Sequence, residues 1–325
     1  MSSPSSTTTF LNQVTNAATS AISYVRLPVL ASSGIAAILS VLLYFKQNLL
    51  ENLSAEYRRF SEVIYQRNLP IGARTEVPKP PIFSMTDWED LSIPTPDGES
   101  LHAYFLRPTN RRFEQNVTVL MFHGNAGNIG HRLPIGKVLQ EHMGCHVLLL
   151  EYRGYGLSTG SPNERGILID AQTGFDYLTK RAETRNTKIV VYGQSLGGAV
   201  GIQLVAKNEK RGNVGGLVLE NTFMSMRKLI PSALPPAKYL ARLCHQIWPS
   251  DTTLPMIKDT PILFLSGLKD EIVPASHMEQ LFGICRSRKQ TFKELPNGTH
   301  NDTMMEPGYF EAMFKFIRED VLKNR

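Results

Sequence analysis

Cysteine is scarce in this 325-residue chain. Cys145, Cys244 and Cys285 are odd in number and show no C-x-x-C spacing, which excludes a disulfide framework and a zinc ribbon or finger. An excess of one charge is also missing, since 35 Lys and Arg stand against 29 Asp and Glu, for a net charge of +6. The basic residues are interspersed with carboxylates and form no stripe, so nucleic acid is not an expected partner. No fixed-period repeat occurs, which excludes a solenoid or propeller. With 42% hydrophobic residues, one large core can form, and a catalytic domain with an appendage is the natural division.

Long apolar runs are absent except for one. Residues 27–45, L-P-V-L-A-S-S-G-I-A-A-I-L-S-V-L-L-Y-F, are bracketed by Arg26 and Lys46. As a helix they extend about 28 Å, close to a bilayer's hydrocarbon thickness. The flanks lack a small-residue cleavage site, so a single uncleaved transmembrane helix is expected rather than a signal peptide. Residues 1–26 read as a Ser/Thr/Ala-rich tail. Residues 46–84 read as a juxtamembrane stalk, with Leu49, Leu53, Tyr57, Phe60 and Ile64 at helical spacing, and then a proline-rich linker. The globular domain is expected over 85–325.

Within it, residues 90–106 form a hairpin signal around Pro96-Asp97-Gly98. Strands expected at 117–122, 145–150, 189–192, 217–219, 262–266 and 291–295 alternate with helical or irregular stretches. The pattern predicts an α/β fold, a mostly parallel sheet covered by helices on both faces. Residues 221–259 interrupt the alternation and read as a small cap, with Tyr239 and Trp248 as candidate substrate-binding residues.

The chemistry centres on G-Q-S-L-G at 193–197, placed between a β-branched run and a helical one. A serine on such a turn has its hydroxyl raised above the sheet, and small neighbours relieve the strained backbone. The following helix aims free N–H groups at a reacting carbonyl, which makes Leu196 N–H an oxyanion donor. Ser195 needs a base and an orienting acid, and in this kind of fold they follow in the order acid, then histidine. Asp270 comes just after an apolar strand, and His300 lies in a loop after the last strand. Glu220, ending the strand after the serine, is a rival acid. Asn125, in the glycine-rich turn H-G-N-A-G-N from His123, is expected to give the second oxyanion N–H. His123 and Arg153 read as structural, the latter as an ion-pair partner.

These motifs, with Y-R-G-Y-G-L-S from Tyr152, G-L-K-D-E-I-V-P from Gly267 and G-T-H-N-D from Gly298, resemble those of membrane-anchored serine hydrolases of the α/β-hydrolase superfamily. The nearest likeness is to the bud-emergence (bem) type and the animal α/β-hydrolase domain-containing proteins of subgroup thirteen. The resemblance covers about residues 85–325. It implies an α/β-hydrolase fold, an N-terminal anchor, and Ser195, Asp270 and His300 as nucleophile, acid and base.

The expected function is hydrolysis of carboxylic esters or thioesters of lipid-like or acylated substrates at a single-pass membrane location, with no metal and no cofactor. The alternatives are an amidase or peptidase using the same triad, and an interaction scaffold on a hydrolase fold. The side of the membrane stays open. Lys46, Arg58 and Arg59 favour a cytoplasmic domain by the positive-inside rule, whereas the resemblance implies a lumenal or external one.

Overall fold

The computed structural model describes residues 65–109, 116–211, 213–233, 241 and 244–323. The expected transmembrane segment 27–45 and Tyr239 lie outside them. Among the described residues no helix is long and apolar enough to cross a membrane.

The hairpin signal gives β1 (Trp88–Pro94) and β2 (Ser100–Leu106), which pair antiparallel. Then follow β3 (Val117–Phe122), β4 (His146–Leu150), β5 (Lys188–Gln194), β6 (Val214–Glu220), β7 (Ile262–Gly267) and β8 (Gln290–Leu295). Their order in the sheet is β1-β2-β4-β3-β5-β6-β7-β8. From β4 to β8 every pairing is parallel, while β2 meets β4 antiparallel. After β3 the chain steps outward to β4 and then returns to β5 on the other side. This reversal opens a crevice at the carboxyl ends of β3 and β5, where open α/β sheets bind ligands.

The inner strands β3 to β7 are apolar and buried on both faces, as helices on both sides require. On one face α1 (Leu133–Lys137) and α2 (Tyr309–Lys315), the latter near the chain's end, cover Val119, Met121, Val190 and Tyr192. On the other, α3 (Glu164–Lys180) and α4 (Leu196–Asn208) cover Leu120, Phe122, Ile189 and Val191. The start of α3 is fixed by Asn163, whose side chain accepts the Gly166 N–H at 2.8 Å. Its buried stripe is Ile167, Ala171, Phe175 and Leu178, and each of its large apolar side chains contributes about 1.5–3 kcal/mol through burial.

Two expectations are corrected here. Residues 65–84 are not a free linker: Tyr65 is buried in the main core, and Asn128 Nδ2 donates to the carbonyls of Ala73 and Glu76. Side-chain donors satisfy this proline-interrupted backbone where no ladder can. Nor do residues 247–257 of the expected cap stand apart from the main core. Glu164 accepts the N–H groups of Ile247 (2.6 Å) and Trp248 (3.1 Å), while Gln203 of α4 donates to Thr253 at 2.8 Å. These bonds draw residues 247–257 onto α3 and α4. Trp248 is consequently 0% exposed and part of the core, so the expectation of a substrate-facing indole fails.

Candidate active site

β5 ends at Gln194, and Ser195 adopts φ 52° and ψ −116° before α4 begins at Leu196. A non-glycine residue in this region stores about 1–3 kcal/mol of strain, which its surroundings must hold. The glycines explain how the turn closes. A Cβ on Gly193 would collide with the Gly197 carbonyl, and one on Gly197 would lie 2.8 Å from the His123 carbonyl oxygen while striking that of Phe122. Strand end, helix start and the loop after β3 therefore touch backbone to backbone.

That contact brings the loop that carries Asn125 against the start of the helix that carries Leu196. Leu196 is the first residue of α4, where N–H groups lack intrahelical acceptors. Asn125 belongs to the loop resting on the elbow, and the Tyr155 hydroxyl holds it through its carbonyl (3.1 Å) and Oδ1 (2.8 Å). Neighbouring His123 points away from the serine chemistry: Nδ1 lies 2.7 Å from the Gly124 carbonyl and Nε2 lies 2.9 Å from buried Glu151. It is structural, as its place at the strand end implies. Arg153 also has a structural role, pairing with Asp97 at 2.7 Å and Asp170 at 2.8 Å.

On the far side of the elbow, β7 and β8 bring the remaining pair together. Their following loops join where Leu268 N–H donates to Leu295 and Lys269 N–H to Gly298. His300 Nδ1 lies 2.7 Å from Asp270 Oδ2, with the two side chains 8% and 1% exposed. A carboxylate only accepts, so Nδ1 carries the hydrogen and Nε2 is left as the acceptor. Asp270 Oδ1 takes the N–H groups of Ile272 (2.8 Å) and Val273 (2.7 Å). It is therefore fixed by its own turn and does not cap the helix that starts at Ser276.

Glu220, the rival acid, is directed elsewhere. Its buried carboxylate accepts from the hydroxyls of Tyr192 and Tyr309, and from Gln194 Nε2 at 3.2 Å. Burial raises its pKa, and the two tyrosine bonds act against that rise. No bond joins it to the His300 ring among the described residues.

Three consecutive residues at the end of β6 nevertheless grip the elbow and the loops that carry Asp270 and His300, which sequence reasoning missed. The Glu220 carbonyl accepts the Ser195 N–H at 2.8 Å, and Thr222 Oγ1 donates to the Ser195 carbonyl at 2.7 Å. Asn221, at φ 46°, donates through Nδ2 to the Thr299 carbonyl (3.2 Å) and Thr303 Oγ1 (2.8 Å). Its Oδ1 accepts the Gly267 N–H at 2.8 Å, at the head of the Asp270 loop. The available signal was an asparagine directly after a strand, a residue type that tolerates positive φ.

Sheet order, elbow and loop placement define an α/β-hydrolase-fold protein, and a family model described as alpha/beta hydrolase fold matches residues 117–243. Protein bem46 of Schizosaccharomyces pombe is 44% identical over 265 residues, 81% of this chain and 87% of that protein. The uncharacterized membrane protein YNL320W of Saccharomyces cerevisiae is 39% identical, covering 76% and 85%. Among solved structures, an alpha-beta hydrolase from Vibrio vulnificus has a TM-score of 0.63 at 21% identity, over 82% of this chain and 93% of that one. A Pyrococcus furiosus esterase gives 0.58 at 16% identity, over 75% and 94%. The chain belongs to the bem46-type family of α/β-hydrolase proteins.

Proposed function

We propose that this protein is a membrane-anchored serine hydrolase that cleaves carboxylic esters or thioesters. The observation that carries the reading is the strained Ser195 elbow opposite a His300 whose Nδ1 is held by Asp270 at 2.7 Å. In this reading His300 Nε2 takes the proton as Ser195 Oγ bonds to the acyl carbon. The N–H groups of Leu196 and Asn125 stabilise the oxyanion, and Asp270 stabilises the imidazolium. Collapse of the intermediate breaks the ester bond, and His300 passes its proton to the departing alcohol or thiol. Water, activated by His300, then attacks the acyl-enzyme, releases the carboxylic acid and restores Ser195.

The apolar segment 27–45 tethers the domain, so the substrate is lipid-like or acylated and reaches the site from the bilayer. Leu157, 51% exposed after β4, and Leu268, 40% exposed after β7, support an apolar approach along the edge that carries the site. The test is labelling of the membrane-embedded full chain with a fluorophosphonate, beside Ser195→Ala. Labelling of wild type that vanishes in the variant supports an activated serine. Absence of labelling in folded wild type overturns the hydrolase reading and leaves the scaffold.

A further inference from the structure

Beside the elbow stands a cation that makes no salt bridge among the described residues. Arg132 follows the glycine-rich loop and is partly exposed. A Cβ built on Gly124 would meet Ser195 Cβ at 3.6 Å, Gln194 Oε1 at 3.7 Å and Arg132 Nη2 at 3.8 Å. Serine, amide and guanidinium therefore surround one point. Among the described residues Arg132 forms no ion pair, and its Nε is buried with no acceptor. The charge of Arg132 is felt by Glu220, but that carboxylate accepts from two tyrosines, and Glu151 accepts the Ile129 N–H and faces His123.

Arg67 and Arg74 lie on a segment packed against the same loop, where the Gly127 N–H donates to the Leu69 carbonyl. Asn128, four residues before Arg132, ties down the segment that carries Arg74 through the Ala73 and Glu76 carbonyls. Arg74 itself reaches the Ser158 carbonyl at 3.2 Å. Its pKa is lowered, first by burial and then by the charge of Arg67. A guanidinium partly withdrawn from water with its donors unspent is costly unless an anion meets it. A planar fork also suits carboxylate or phosphate oxygens in two parallel bonds.

We propose that Arg132 binds an anionic group of the substrate, a carboxylate or phosphate carried close to the scissile acyl bond. The inference rests on the serine-hydrolase reading and narrows its substrates to anionic esters or thioesters. A charge in the acyl part is probed by p-nitrophenyl hemiglutarate against p-nitrophenyl butyrate. A charge in the alcohol is probed by 1-butyrylglycerol 3-phosphate against monobutyrin.

In the full-length protein, Arg132→Gln should lower kcat/KM for at least one anionic ester by about 10- to 100-fold more than for its neutral partner. Arg132→Lys, which keeps the charge without the fork, should recover part of that difference. Calorimetric titration of wild type and Arg132→Gln with glutarate and glycerol 3-phosphate reads the same site without turnover. Parallel losses on charged and neutral esters, or no Arg132-dependent binding of either anion, overturns the proposal while fluorophosphonate labelling persists. Loss of wild-type labelling instead overturns the serine-hydrolase reading, and the titration still decides whether Arg132 holds an anion.

Discussion

Gln194 Nε2 donates to the His300 carbonyl at 3.1 Å, so the residue immediately before the elbow serine grips the loop that carries the histidine. The same nitrogen donates to Glu220, whose carbonyl receives the Ser195 N–H. Serine and histidine are thereby referenced to one strand end. Their separation is set by the sheet and not by two independent loops.

Asn221→Ala removes the donor to Thr299 and Thr303 and the acceptor of the Gly267 N–H. Groups left buried and unpaired cost about 1–3 kcal/mol in stability. In the folded variant kcat should fall by about tenfold or more with a smaller change in KM, because misplacement affects the reacting geometry above all. Urea titration and steady-state kinetics read the two effects separately. An unchanged kcat would remove Asn221 from any positioning role.

Asp270 and Glu220 are separated by a pair of isosteric changes. Asp270→Asn should lower kcat by about 10⁴-fold, by disturbing the tautomer and orientation of His300. Glu220→Gln keeps the side-chain shape and should cost less than about tenfold, since Glu220 acts through Gln194 and the backbone. The reverse ranking would make Glu220 the acid.

Gly197→Ala tests the backbone contact between α4 and β3. Its Cβ would sit 2.8 Å from the His123 carbonyl oxygen, and backbone on both sides cannot swing away. A loss of about 3 kcal/mol or more is expected, together with loss of fluorophosphonate labelling. Wild-type stability in this variant would contradict the elbow geometry.

Buried Asp170 holds Arg153 through both its N–H and its guanidinium. Burial raises the Asp170 pKa to about 6 despite that cation. Asp170→Ala leaves a largely buried guanidinium with only the more exposed Asp97, and should destabilise by about 3–5 kcal/mol. Chemical denaturation measures this, and a change below the error of the method would exclude the pair as a structural anchor.

His131 makes stability depend on pH. Burial, then the neighbouring Arg132, lowers its pKa from 6.5 to about 4, and its Nδ1 accepts the Asn128 N–H at 3.2 Å. The unfolded chain takes up the proton first. The His131 contribution is thus complete above 6.5 and disappears as pH falls toward about 4. The stability advantage of wild type over His131→Gln should shrink across that interval. Parallel pH curves for the two proteins would refute it.

Much of this arrangement was legible in local spacing. A β-branched run, a glycine-bounded serine and a helical run specify an elbow within ten residues, and β3 coincides with its expected 117–122 span. Asp270 follows an apolar strand and His300 follows the last strand, so the parallel pattern alone sends them to the same sheet edge. What stayed hidden depends on contacts between distant segments. Nothing near Glu220 announces that Tyr309 will reach it across 89 positions, and the Asn221 bonds exist only because β5, β6 and β7 lie side by side. Trp248 misled for the complementary reason. An aromatic in an irregular stretch looks available to a substrate until a remote carboxylate, Glu164, fixes the backbone and turns the ring inward.

The grip from the end of β6 also governs how the protein fails. β6 lies between β5 and β7 in the interior of the sheet, and Glu220, Asn221 and Thr222 reach both the elbow and the loops after β7 and β8. Heat inactivation should coincide with melting of the whole sheet rather than precede it. Residual activity after a heat challenge would then serve as a count of intact molecules.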